Sequence, residues 1–190
     1  PRLTVERPAW DVLAVVDITG SMNVRDMPPV AGAPVAASRL EAAKAAVAGL
    51  AERLPCASRL GLAVFTERRP FLMLDLTPLC EGFEPLTAAI EQLDWRMGWE
   101  GDSRIASGLE RSLDLAADLG AGLVFLTDGH EAPPPRSDRP PAFETRQTPV
   151  AGLLVGVGGD ALSPIPKFDE EGRETGFYSA DEVMQETRVG

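Results

Sequence analysis

Apolar residues fall along this chain in two kinds of pattern, short unbroken runs and stripes at helical spacing. Asp11 to Val16 is an apolar run that ends in Asp17-Ile-Thr-Gly-Ser21, and Leu123 to Leu126 runs into Thr127-Asp128-Gly129. Val150 to Val157 runs into Gly158-Gly159. Unbroken runs closed by turn residues predict buried strands, usually parallel ones. Between them, Leu40, Ala43, Val47, Leu50, Ala51 and Leu54 recur at helical spacing. Ser38-Arg-Leu-Glu41 forms a capping box at the start of this helix, and Pro55 ends it. Phe83, Leu86, Ile90 and Leu93 predict a second helix, and Ile105, Leu109, Leu113 and Ala116 a third that stops at Gly120. Leu60 to Thr66 and Phe71 to Leu76 read as strands joined so tightly, through Glu67-Arg68-Arg69-Pro70, that an antiparallel hairpin follows.

Strands alternating with helices predict an α/β fold: a central, mostly parallel sheet with one antiparallel edge strand and helices on both faces. Two stretches break the pattern. Ala132 to Ala142 is too rich in proline for a helix and predicts an extended loop. After residue 159 the chain reads as an extension over 160–190, with a small hairpin about Glu171-Gly172 and a short helix or tail over Asp181 to Glu186. The expected organisation is a core over 1–159 and this extension.

Composition narrows the function. The 190 residues carry 18 basic and 29 acidic side chains, a net charge of −11. That balance disfavours nucleic acid and anionic membrane surfaces, both of which need a basic face. No apolar run approaches the roughly 18 residues of a membrane helix. The chain begins at Pro1 without an initiator Met, so any export signal or anchor is expected in flanking segments outside it.

In open α/β sheets, ligands bind beyond the carboxyl ends of the strands, where strand order reverses. This sequence puts oxygen donors there: Asp17, Thr19 and Ser21 after the first strand, Asp102 and Ser103 before the third helix, and Asp128, His130 and Glu131 after the strand that follows. Carboxylates and hydroxyls without a histidine or cysteine cluster suit a hard cation, Mg²⁺, Ca²⁺ or Mn²⁺. The alternating spacing of Asp17, Thr19 and Ser21 lets three side chains of one loop converge. The competing reading of the same residues is ordinary turn and cap chemistry.

Asp17-x-Thr19-x-Ser21, Gly101-Asp102-Ser103 and Leu126-Thr127-Asp128-Gly129, in this order, resemble the metal-ion-dependent adhesion site of von Willebrand factor type A domains. The resemblance spans about Asp11 to Gly159. It implies that Thr19 and Ser21 bind the ion directly, that Asp17 and Asp128 act mostly through bound water, and that Ser103 supplies the remaining hydroxyl. It also implies a non-catalytic module to which a protein partner donates an acidic side chain. Thr19 and Ser103 exchange hydroxyl types relative to the family pattern, and both keep the oxygen.

A narrower resemblance lies in Ser21-Met-Asn-Val-Arg-Asp26, Ser38 to Lys44 and Gly61 to Phe65, which look like exported bacterial A-domain proteins associated with MoxR-type ATPases. Phe65 to Pro70, Asp94 to Ser103, Asp128 to Pro134 and Pro164 to Asp169 look like the A-domain accessory proteins of methanol oxidation clusters. This implies a periplasmic role, with a membrane anchor, if any, outside this chain. The partner implied is a quinone-dependent methanol dehydrogenase or its maturation machinery, and the task its maturation, calcium insertion included. The competing functions are a metal-dependent phosphohydrolase and a subunit of an ATPase or chelatase complex.

Other residues carry two readings each. Trp95 and Trp99 are either an aromatic anchor for a partner or plugs against the core. Glu100, Asp102 and Glu131 either attract a cation or are solvated loop acids, and His130 either tunes the site and meets a partner or is a turn residue. Six acids, Asp17, Asp26, Glu100, Asp102, Asp128 and Glu131, fall near one edge of the sheet and predict a local negative field there. Cys56 and Cys80 lie almost symmetrically about the hairpin, at the far end of the sheet, as either a disulfide or two buried thiols.

Overall fold

The computed structural model describes residues 8–30, 35–98, 102–135, 138, 141–143 and 149–183. Five strands, β1 (Asp11–Asp17), β2 (Arg59–Thr66), β3 (Arg69–Pro78), β4 (Gly122–Thr127) and β5 (Gly152–Gly156), form one sheet in the order β3-β2-β1-β4-β5. All neighbours pair parallel except β2 and β3, whose hairpin makes β3 an antiparallel edge. The turn between β2 and β3 is tighter than the four residues expected, only Glu67 and Arg68.

Both layers of core follow from the alternation of side chains along β1. Ala14 and Val16 pack with helices α1 (Arg39–Arg53) and α2 (Leu79–Glu91) on one face. Leu13 and Val15 pack with α3 (Ile105–Asp118) on the other. The capping box closes the start of α1 as the sequence predicts: the Glu41 amide donates to Ser38 Oγ, and the Ser38 amide donates to the Glu41 carboxylate. In α2 the buried face is Leu79, Gly82, Leu86 and Ile90; Phe83 lies at the surface, and Leu93 is buried beyond the helix end. Cys56 and Cys80 are joined as a disulfide with Cα atoms 4.9 Å apart, ahead of β2 and at the start of α2.

The last strand corrects an expectation. The run from Val150 to Val157 predicts a buried strand, and β5 does pair parallel with β4, but Leu153 and Leu154 are both exposed. An apolar run is buried only if something covers it. None of the described residues between β4 and β5 is helical, and no described strand pairs with β5 on its outer side.

The C-terminal segment turns back as a hairpin, β6 (Pro166–Phe168) with β7 (Glu174–Phe177), followed by a short helix α4 (Ala180–Val183). That helix starts one residue before the expected one; residues 184–190, which include the expected positions 184–186, lie outside the described residues. The Phe168 ring stacks on Trp95 at 4.8 Å, and Arg25 pairs with Glu174 at 2.9 Å, so the hairpin lies against the loops at the carboxyl end of the sheet. Among the described residues, no helix is long and apolar enough to cross a membrane.

Candidate functional site

Strand order reverses at β1, with β2 on one side and β4 on the other, so the crevice beyond the carboxyl ends opens there. Asp17 ends β1, and Asp128 follows β4. Asp17 is fully buried. Its Oδ1 accepts from the Thr19 amide at 2.9 Å and the Thr19 hydroxyl at 2.7 Å, and its Oδ2 accepts from the Thr127 hydroxyl at 2.6 Å. Burial pushes the Asp17 carboxyl up to about 7. The Asp128 charge adds to this, and the hydrogen bonds from Thr127 and Thr19 oppose it.

Asp128 is held differently. Its Oδ2 accepts from Arg39 at 2.8 Å and its Oδ1 from the His130 amide at 3.0 Å. Arg39 reaches Asp26 with its other nitrogens, at 2.6 and 3.0 Å. The Arg39 hydrogen bonds hold Asp26 below the usual carboxylate range. Asp26 also accepts from Ser163, which ties the start of the C-terminal segment to the same network.

The hydroxyls are arranged in the opposite way. After Asp17 the chain makes one 3-10 turn, Gly20–Asn23, which buries Ser21. Ser103 is pinned ahead of α3 by a reciprocal backbone pair with Ala132, at 2.7 and 2.8 Å. Ser21 is 4% and Ser103 3% exposed, and neither hydroxyl oxygen has a hydrogen-bond partner among the described residues. Thr19 spends its proton on Asp17, which leaves lone pairs for another ligand. Thr19, Ser21 and Ser103 all line one cavity of about 320 Å³.

These residues fit a hard cation by their donor chemistry. A buried hydroxyl without a partner costs about 1–3 kcal/mol, and a cation would satisfy several at once. Among the described residues no three His, Cys, Asp or Glu side chains converge, so an ion here would depend on the hydroxyls.

The structure sorts the other candidates. His130 lines the cavity. So does Trp95, but one face of its ring is taken by Phe168. Trp99 and Glu100 lie outside the described residues. Glu131 accepts from the Ala106 amide at 3.1 Å and so caps the start of α3. Asp102 sits 3.7 Å from Arg68 and 3.6 Å from Arg104. The expected negative field is therefore weaker than the count of acids suggests. Asp26 and Asp128 share Arg39, Asp102 has two arginines near it, and burial raises the Asp17 carboxyl to about 7, so that it carries only part of a charge at neutral pH.

Four participants are absent from the sequence-derived set. Thr127 was visible in the quoted motif, and the structure makes it a donor to Asp17. Arg39 carried no signal, because its position in a capping box reads as a solvated first turn. Thr66, which ends β2, has a hydroxyl 99% buried in residue terms and without a partner among the described residues; it lines the same cavity. The C-terminal segment supplies a wall through Ile165, Tyr178 and Glu182. Glu182 accepts from Lys167 and from the Ser179 amide and hydroxyl, and the Lys167 contact leads in lowering its carboxyl to about 2.

A family model described as the von Willebrand factor type A domain matches residues 12–130. No curated protein matches the chain. Similar solved structures include the PilB minor pilin from Streptococcus sanguinis, with 16% identity and a TM-score of 0.49 over 66% of this chain and 31% of that one. An uncharacterized membrane spanning protein from Vibrio fischeri gives 26% and 0.45 over 65% and 58%. Proximal thread matrix protein 1 from the mussel byssus gives 19% and 0.44 over 66% and 33%. The chain thus spans 31 to 58% of the length of these structures. The family match runs from within β1 through the Asp128 loop and takes in all five oxygen donors of the predicted site, and the chain belongs to the von Willebrand factor type A domain family.

Proposed function

We propose that this domain is a metal-ion-dependent protein-binding module. The observation that carries the reading is the set of buried hydroxyls, Ser21 and Ser103, that have no partner among the described residues and line one cavity with Thr19, which bonds the Asp17 carboxylate. Thr19, Ser21 and Ser103 would hold a divalent ion, Mg²⁺, Ca²⁺ or Mn²⁺, with Asp17 and Asp128 acting on its water. Such an ion offers an exchangeable position to a carboxylate from a partner protein. The chain's own contribution is to hold Asp17 and Asp128 rigidly and to keep the hydroxyl oxygens free. His130 and the C-terminal segment wall the approach.

The finer reading is that the module serves as an accessory factor in maturing a periplasmic, quinone-dependent methanol dehydrogenase. What supports it is the set of loop strings given above, among them Asp94 to Ser103 and Asp128 to Pro134. The disulfide Cys56–Cys80 fits an oxidising compartment.

The test begins with calorimetric titration of the purified chain with MnCl₂, in wild type and Asp17→Ala. We expect saturable binding by wild type only. Immobilised wild type should then retain purified methanol dehydrogenase in MgCl₂ and release it in excess chelator. Retention that is indifferent to the chelator would refute the metal-dependent mechanism; ion binding without retention would refute the choice of partner alone.

A further inference from the structure

Thr66 lies outside the residues that the family pattern names, and its surroundings are unusual for a strand threonine. A threonine at a strand end ordinarily bonds a nearby carbonyl or water. Here the side chain is buried, with 1% of the residue exposed, and Oγ1 has no partner among the described residues. Leaving a hydroxyl so costs about 1–3 kcal/mol, so the described residues leave it available to a ligand.

Its position is fixed by the two loops that carry the other hydroxyls. The Ile18 amide, next to Asp17, donates to the Phe65 carbonyl at 3.0 Å. The Arg104 amide, next to Ser103, donates to the Glu67 carbonyl at 2.6 Å. Thr66 is therefore bracketed between them, and it lines the same cavity as Ser21 and Ser103.

Gly98 keeps the space in front of this hydroxyl clear. A Cβ added at Gly98 would stand 2.8 Å from Thr66 Oγ1, closer than real Cβ atoms approach. The Gly98 backbone, at φ −84°, is one that any residue adopts, so the position needs glycine for room and not for conformation. Gly98 lines the cavity as well.

We infer that Thr66 is a positioning residue of the ion site, whose hydroxyl anchors a water of the bound divalent cation from the side kept open by Gly98. The inference rests on the reading of this cavity as a cation site. Hard divalent ions keep part of their water, and groups that hold such water typically change ion affinity 10- to 100-fold when removed.

The experiment is calorimetric titration of the 190-residue chain with MnCl₂, without any partner, in wild type, Thr66→Val, Thr66→Ser and Gly98→Ala, together with thermal melts of each ion-free protein. Thr66→Val keeps the shape and removes the hydroxyl. We expect about tenfold weaker Mn²⁺ binding, with an ion-free Tm equal to or above wild type because an unpaired polar group is gone. Thr66→Ser should bind as wild type does, and Gly98→Ala should weaken binding because its methyl takes the water's space. Equal affinity in Thr66→Val and wild type, or Thr66→Ser failing as badly as Thr66→Val, overturns the role given to Thr66. A wild type that binds no Mn²⁺ overturns the cation reading itself, which is a different result.

Discussion

Asp17 and Asp128 have all four carboxylate oxygens engaged by protein donors, whereas among the described residues Ser21, Thr66 and Ser103, in the same cavity wall, have none of their hydroxyl oxygens engaged. Charge left unpaired in a protein interior is expensive, so the fold settles the carboxylates itself, through Thr19, Thr127 and Arg39. An unpaired hydroxyl costs less and can be tolerated until a ligand arrives. Substitutions in the first group should therefore act mainly on stability, or on stability and binding together. Those in the second should weaken ion affinity without lowering stability.

The largest expected effect belongs to Asp17. Burial pushes its folded carboxyl up to about 7, against an ordinary value of 3.8. The folded protein therefore holds a proton there that the unfolded chain releases. The stability linked to that proton is complete below about pH 4 and is lost as pH rises through 7, on the order of 4 kcal/mol at most. Chemical denaturation of the ion-free protein should accordingly give higher stability at pH 5 than at pH 8. Asp17→Asn should flatten this dependence and abolish Mn²⁺ binding at once. An unchanged pH profile in Asp17→Asn would remove Asp17 from the comparison.

Next comes Arg39. The Asp128 side chain is 1% exposed and that of Arg39 12%. Arg39→Met would leave a buried carboxylate without its counter-charge, at a cost of about 3 kcal/mol at pH 7. A loss below about 0.5 kcal/mol, the scale of an exposed ion pair, would mean that Asp128 is settled by other donors.

The smallest loss of stability, and the sharpest contrast, is expected from Ser21→Ala and Ser103→Ala. Each removes an unpaired hydroxyl that costs about 1–3 kcal/mol, so each should leave ion-free stability equal to wild type or raise it, and weaken Mn²⁺ binding at least tenfold, as a lost ion contact does. If either variant melts well below wild type and binds Mn²⁺ normally, the hydroxyl is structural and the contrast fails.

Much of this division was legible in the sequence. The apolar runs ending at Asp17 and Thr127 announced where two strands deliver their residues. The Asp17-x-Thr19-x-Ser21 spacing announced three oxygens on one turn. Such signals are local, and local signals survive folding. Arg39 was illegible because its bond to Asp128 spans 89 positions and depends on where α1 docks. Thr66 closes an apolar run and reads as its last strand residue; only the docking of the Gly98 turn shows that its hydroxyl is left over. The burial of β5 was misread for a related reason. Hydrophobicity states what a residue would gain from cover, and the chain between β4 and β5 decides whether cover comes. The path of the C-terminal segment, after an irregular stretch, left no periodic trace at all.

Gly108 illustrates how far the site's dimensions are set from outside it. The Phe65 ring, itself 5.5 Å from Phe125, rests against the backbone of α3 so closely that a Cβ at Gly108 would fall 2.1 Å from it. The helix thus lies on an aromatic shim of fixed thickness, and Ser103 is carried on the stretch of chain just ahead of that contact. The bore of the cavity between Ser21 and Ser103 is in this sense machined by two residues with no oxygen to offer. For the proposed ion, whose selectivity would turn on tenths of an ångström in oxygen spacing, that spacing would be inherited from the hydrocarbon packing of Phe65 against α3.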